Sequence, residues 1–308
     1  MPSRRLHVPA FIAIAAAVTL QAGPHPSAQS EARGGATTLS VFATVSDRRH
    51  VPIEDLESSD FLVKEDGKDR TVLSAVPAAG PLQIIVLVDD NGTGIFRYGL
   101  ARFAESLQGR AEMSIRVVTN QVQTVVNFTP DVKVWLAGIS RMTVRPATPE
   151  GGQLIEGIVT AAADLRKREA RRPVILALTV GGSEQSPRVS NEVLDELWRS
   201  HAALHVVFAE TIARPAPAVT KPSDLLENNF NLSKVIGDGP KESGGVRRDV
   251  LTAGLVQTEV QQVAADLLNQ YEVAYARPAA GNAPRKLQVS VRRGGVTVFA
   301  PTRAPAGK

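Results

Sequence analysis

The chain has 308 residues, 43% of them hydrophobic and 21% charged, a balance too apolar for disorder and long enough for one large domain with a small partner. The formal net charge is +4, of which Arg4 and Arg5 fall in a segment expected to be removed; the remaining basic clusters are scattered and aromatic residues are only 5%, which argues against a nucleic-acid groove. There is no cysteine, so disulfides, thiol catalysis and thiolate metal sites are ruled out.

The first elements are an address. Arg4 and Arg5 precede the apolar run from Ala10 to Leu20, and small residues follow at Ala22, Gly23, Ser27 and Ala28. This is the three-part pattern of a secretory signal peptide. The run is shorter than the roughly 20 apolar residues that a membrane span needs. The mature chain is therefore expected to be exported, to the periplasm or outside the cell, with no integral membrane span. Residues 1–28 read as the signal peptide and the start of a Pro-, Ser- and Gly-bearing leader.

From Thr38 to Val45 the chain is rich in β-branched residues, as a strand requires. Asp60 to Glu65 is a second strand, closed by the turn pair Asp66-Gly67, and Arg70 to Val76 is a third. Residues 37–78 therefore predict a small antiparallel β-module. Leu82 to Val88 is almost unbrokenly apolar, the mark of a strand covered on both faces. Helical spacing follows from Ile95 to Leu107, then strands at Met113–Val118 and Val122–Phe128, and helices at Val132–Ile139 and Leu154–Leu165. Pro173–Val180 and Leu204–Phe208 are further central strands, separated by a helix over Asn191–Trp198; Val256–Leu268 is a helix and Tyr271–Ala276 a strand. Alternating strands and helices predict a doubly wound, mostly parallel α/β sheet of Rossmann-like type over residues 80–277. The strictly alternating Leu287–Val291 and the strand Val296–Phe299 suggest a half-wet sheet, so residues 284–300 are expected to join the N-terminal β-module.

In such a sheet ligands bind outside the carboxyl ends of the strands, where the loop Asp89-Asp90-Asn91-Gly92-Thr93-Gly94 should lie. Four segments in order resemble the von Willebrand factor A-type (VWA) domain of a bacterial VWFA-related family known mostly from Acidobacteria. They are Asp60 to Lys68 (the "DFxVxEDGK" element), Glu150 to Leu154 (a Gly-Gly-Thr loop), Arg172 to Gly182 ("RPVILLLTDGG") and Leu268 to Tyr275 ("LRxQYxLGY"). The resemblance implies a metal-ion-dependent adhesion site, with an Asp-x-Ser-x-Ser loop, a Thr from a later loop and an Asp after the fourth strand. Carried over residue by residue, Asp89 keeps the first acid, Asn91 stands for the first Ser and Thr93 for the second; Gln153 replaces the Thr, and Val180 the last Asp. The implied site is degenerate, with no metal or only weakly held Mg²⁺, Mn²⁺ or Ca²⁺. The loops around it, with Asp90, Gly92, Thr148, Glu150, Val180 and Ser183, would be the face offered to an unidentified protein partner.

Asp89 to Thr93 also resembles the Asp-x-Asp-Gly-Thr nucleophile loop of haloacid dehalogenase-type phosphatases, with Thr179, Lys234 and Asp238 as candidate companions. Asn91 stands at the acid/base position of that loop and cannot transfer a proton. The expectation is a non-catalytic, exported protein-binding domain of adhesion type; the alternatives are that phosphatase or a structural component of an envelope assembly. His205, in a core strand, reads as a packed histidine rather than a ligand.

Overall fold

The computed structural model describes residues 36–142, 151–209, 222–279 and 283–305. The signal-peptide reading and the loop holding Thr148 and Glu150 lie outside the described residues.

At the centre is β5 (Leu82–Asp89), in which every residue but Gln83 is buried. It pairs in parallel with β6 (Ala111–Val118) on one side and β8 (Pro173–Thr179) on the other. Beyond β8 lie β9 (Ala203–Phe208) and β10 (Arg247–Asp249), both parallel; beyond β6 lies β7 (Val122–Thr129), antiparallel at the edge. The order is β10-β9-β8-β5-β6-β7. Alternate side chains of β5 enter opposite cores, which explains its unbroken apolarity. Ile84, Val86 and Val88 pack with α1 (Arg97–Ser106), α2 (Val132–Arg141) and α6 (Val256–Leu268). Ile85 and Leu87 pack with α3 (Leu154–Lys167), α4 (Ser190–Ser200) and α5 (Pro222–Ser243). Mostly parallel strands with helices on both faces make a doubly wound sheet.

Nothing in the residue pattern of 222–243 announces α5. Its Asn228, Asn229, Asn231, Gly237, Gly239 and Pro240 all disfavour a helix. Tertiary bonds override propensity here. Asn229 Oδ1 accepts from the Glu184 amide (3.0 Å), Asn231 Oδ1 from the Ser190 amide (3.1 Å), and Leu232, Val235 and Ile236 enter the core.

Beside this body stand two small antiparallel sheets. One has the order β13-β1-β11-β4, from β1 (Ala36–Asp47), β4 (Val72–Pro77), β11 (Gln270–Pro278) and β13 (Val296–Phe299). The other has the order β12-β2-β3, from β2 (Phe61–Glu65), β3 (Lys68–Arg70) and β12 (Leu287–Val291). Val41, Ala43, Val45, Phe61, Val63, Tyr271 and Val273 form their shared core. Asp66 and Gly67, at φ 47° and 79°, make the two-residue hairpin between β2 and β3.

Two elements depart from the sequence expectation. The third strand, read as Arg70 to Val76, is split between the two sheets as β3 and β4. The strand at Tyr271 belongs to the antiparallel sheet, paired with β1 and β4, and not to the α/β body. The reason is in its own pattern: Tyr271, Val273 and Tyr275 are buried while Glu272 and Ala274 between them are less so, an alternation that a doubly covered parallel strand does not need.

Candidate functional site

The acidic loop sits where β5 ends. Asp89 pairs with Thr179 across the two central strands, and the Val180 amide donates to the Asp89 carbonyl oxygen (3.0 Å). The Thr179 hydroxyl donates to Asp89 Oδ2 at 2.6 Å and accepts from the Gly181 amide at 2.9 Å. A methyl group on Gly152 would stand 3.0 Å from Asp89 Oδ1, so any larger residue there would press on the carboxylate. Asp90 turns inward: its two oxygens accept from the amides of Gly92 (2.8 Å) and Gly94 (2.7 Å). The turn that results holds Asn91, Gly92 and Gly94 at positive φ.

The predicted residues are thus drawn to one rim but differ in access. Thr93 is exposed, and Asn91, Gln153 and Ser183 are half-buried. Asp90, Gly92 and Val180 are buried, contrary to the expectation that they offer a contact face. Asp90 and Gly92 are inside because Asp90 closes the turn. Val180 is inside because its side chain joins the core cluster that also holds Val88, Phe96 and Val256. Among the described residues no three His, Cys, Asp or Glu side chains converge to hold an ion.

No protein-family model matches the sequence, and no curated protein matches it. Solved structures similar to it include the conserved hypothetical protein BatB from Bacteroides thetaiotaomicron, 13% identical with a TM-score of 0.41, covering 60% of this chain and 98% of that one. The von Willebrand factor type A protein from Catenulispora acidiphila is 9% identical with a TM-score of 0.39, covering 86% of this chain and 73% of that one. The pilus adhesin SpaC from Lactobacillus rhamnosus GG is 12% identical with a TM-score of 0.44, covering 80% of this chain and 48% of that one. The fold is of the VWA type. Its own strand order, with one antiparallel edge and the acidic loop at the end of the first central strand, carries that statement. None of these likenesses says what this chain binds.

A residue that sequence reading missed completes the rim of this VWA-type body. Glu184 is 1% exposed; its Oε2 accepts from the amides of Leu154 (3.0 Å) and Ile155 (3.3 Å), and its Oε1 from the Ser186 amide (2.8 Å). It therefore caps α3, whose own N-cap, Gln153, contributes no side-chain bond. The available signal was negative: a helix start without a Ser, Thr, Asp or Asn cap must find its acceptor elsewhere. Burial pushes the Glu184 carboxyl up to about 8, and the Asp89 charge adds to this, although the three amides act in the opposite direction.

A pH window follows. The Glu184 value is raised from 4.5, so its stabilising contribution is complete below pH 4.5 and is lost as pH rises through about 8. His205, with neither ring nitrogen hydrogen-bonded, is lowered from 6.5 to about 3 by burial and by Arg248, so its contribution grows as pH rises to 6.5. The two slopes cancel between pH 4.5 and 6.5. Between pH 6.5 and 8 His205 no longer offsets Glu184, whose contribution to the unfolding free energy is expected to fall by about 2 kcal/mol. Urea unfolding at pH 6.5 and 8.5 measures this. The fall should vanish in Glu184→Gln, and an unchanged fall in that variant would place its origin elsewhere.

Proposed function

We propose that the chain is an exported, non-catalytic binding module of adhesion type, in which the cation site at the end of β5 has degenerated. The supporting observation is what has become of the oxygen donors around Asp89. Val180, where the resemblance puts the last acid, has no ligand atom and lies in the core. Asp90 and Glu184 both commit their oxygens to backbone amides, and burial raises the Glu184 carboxyl to about 8. Mg²⁺ demands near-octahedral oxygen geometry, and Ca²⁺ six to eight oxygens. Among the described residues, one carboxylate with the Asn91 and Gln153 amides and the Thr93 hydroxyl does not fit that demand. Recognition would instead rest on hydrogen bonds and shape at Asn91, Thr93, Gln153 and Ser183, outside the cytoplasm, with a protein partner.

Calorimetric titration with Mg²⁺ and Mn²⁺ is expected to give no binding or millimolar binding, and a micromolar site would sink the degenerate-site reading. Capture of a partner from envelope extract should be indifferent to chelator and should weaken in Thr93→Arg. The rival phosphatase needs Lys234 and Asp238 near Asp89. Lys234 instead donates to Asn191 Oδ1 (3.0 Å), and Asp238 lies on α5 nine residues, roughly 13 Å, beyond Asn229, which bonds the Glu184 loop. Phosphate-ester turnover lost in Asp89→Asn would restore that rival.

A further inference from the structure

The end of the sheet opposite Asp89 carries a second feature. A cavity of about 440 Å³ lies between β1 and the base of the α/β body, where β8 and β9 begin at Pro173 and Ala203. That volume is within the range of ligand sites, roughly 300–1,000 Å³. One wall is a strand edge without a neighbour. β13 pairs with β1 only over Thr44–Asp47, while β11 pairs with it over Ala36–Thr44. From Ala36 to Ala43 the outer side of β1 therefore has no partner strand among the described residues.

The alternation of an antiparallel ladder says which groups face outward. The Gln270 carbonyl accepts from the Ala78 amide, after the end of β4 (2.7 Å), so Gln270 bonds on the β4 side. Its neighbours Tyr271, Val273 and Tyr275 then bond to β1, at Ala43, Val41 and Leu39. The amides and carbonyls of Thr38, Ser40 and Phe42 point the other way, along the cavity. Thr38 and Ser40 are exposed, as an open edge requires.

The described segment after β13 does not close the slot. After Phe299 the chain would continue along β1, but Pro301 bridges to Ser243, the Thr302 carbonyl accepts from Leu287 (2.8 Å), and the Ala304 carbonyl accepts from Trp198 Nε1 (2.8 Å). Two arginines stand on the inner wall. Arg172 is 5% exposed, is bonded only to carbonyl and amide oxygens, and its Nε has no partner; Arg171 beside it is exposed. Glu242 and Glu272 also line the slot with Arg303, whose guanidinium is paired with Asp195 (2.8 Å), so Arg171 is the exposed cation that the lining offers.

We infer that this slot takes an extended peptide segment of a partner protein, which adds to β1 as a strand beside β13 and sets an acidic side chain against Arg171. Backbone bonds to Thr38, Ser40 and Phe42 would supply affinity, and the arginine wall a preference for acid. This surface is distinct from the Asp89 rim and stands or falls separately.

The test is amide hydrogen exchange on the full chain, with and without the capped hexapeptide Thr-Val-Glu-Val-Thr-Val. In the free protein the Thr38, Ser40 and Phe42 amides should exchange fast and those of Leu39, Val41 and Ala43 slowly. Saturating peptide should slow the first set at least tenfold. Fluorescence anisotropy with labelled peptide should show affinity at least fivefold weaker for a Lys-for-Glu peptide and for Ser40→Pro, which removes one outward amide from an edge position. Fast exchange that persists with peptide, slow exchange already present without it, or equal affinity for the Lys peptide would each overturn the inference. The exchange measurement needs no variant, so a poorly folded Ser40→Pro does not blunt it.

Discussion

Replacing Glu65 with alanine is expected to lower the unfolding free energy by about 3–5 kcal/mol, the usual cost of removing one partner from a buried ion pair. Glu65 is fully buried between the two antiparallel sheets. It accepts from Arg70 Nε (2.8 Å), from the Tyr275 hydroxyl (2.8 Å) and from the Arg277 guanidinium through both Nε and Nη2. Burial pushes its carboxyl upward, but the bonds from Arg277, Arg70 and Tyr275 outweigh that and hold it below the ordinary range. Alanine would leave the Arg277 cation, itself 9% exposed, facing the Pro305 carbonyl and the Tyr275 hydroxyl with no carboxylate among its described partners. The double variant Glu65→Leu with Arg277→Met should recover part of the loss, because it removes the more buried cation together with Glu65, while Arg70 (16% exposed) is left to turn to solvent. Urea unfolding followed by tryptophan fluorescence measures both. A loss below about 1 kcal/mol in Glu65→Ala would show that the network is solvated and contributes as little as a surface pair.

This network explains why some family-like segments were so legible. In Asp60 to Lys68, Phe61, Val63 and Glu65 point inward, Asp66-Gly67 turns, and the Asp60 carboxylate accepts from the Glu57 amide (2.8 Å). In Leu268 to Tyr275, the Tyr271 hydroxyl donates to the Ile53 carbonyl (2.9 Å) and accepts from the Leu56 amide (3.1 Å), while Tyr275 reaches Glu65. Both segments are joints of the β-sheets, and their pattern follows from period-2 burial with polar groups placed where a partner exists. That is information a sequence holds locally.

The rim was less legible because its parts depend on pairings distant in sequence. Asp89, Val180 and Gly152 could be brought together on paper by counting strands. Which of the neighbouring acids would be inward could not. Asp90 turns in because two amides lie two and four residues ahead; Glu184 turns in because an uncapped helix starts thirty residues earlier. Neither acid carries a local mark that separates it from a solvated one. The helix α5 was hidden for a related reason, since its asparagines stabilise it only through amides on another loop.

Arg172 is the residue where local and distant information meet, and Arg172→Ala is expected to lower stability by about 3 kcal/mol or more. Its position before Pro173 starts β8, yet its guanidinium reaches out of the α/β body. Nη1 donates to the Gly80 carbonyl (3.0 Å), in the link between β4 and β5; Nη2 donates to the Leu267 carbonyl (2.9 Å) and to Gln270 Oε1 (3.1 Å). The Leu267 carbonyl is in the last turn of α6 and has no helical partner, and Gln270 opens β11. One planar cation thus ties three segments at the seam between the α/β body and the antiparallel sheets. Burial pulls its affinity for the proton down, and the nearby Arg110 adds to this, with Glu272 opposing. Alanine would leave these acceptors buried without donors, at roughly 1–3 kcal/mol for each one left unsatisfied. Lysine keeps the charge but offers a single ammonium in place of the fork, so Arg172→Lys should recover less than half of the loss. Differential unfolding of the three proteins decides this. If lysine restores wild-type stability, the seam needs only a positive charge, and the carbonyl cradle read from these distances is not what holds it.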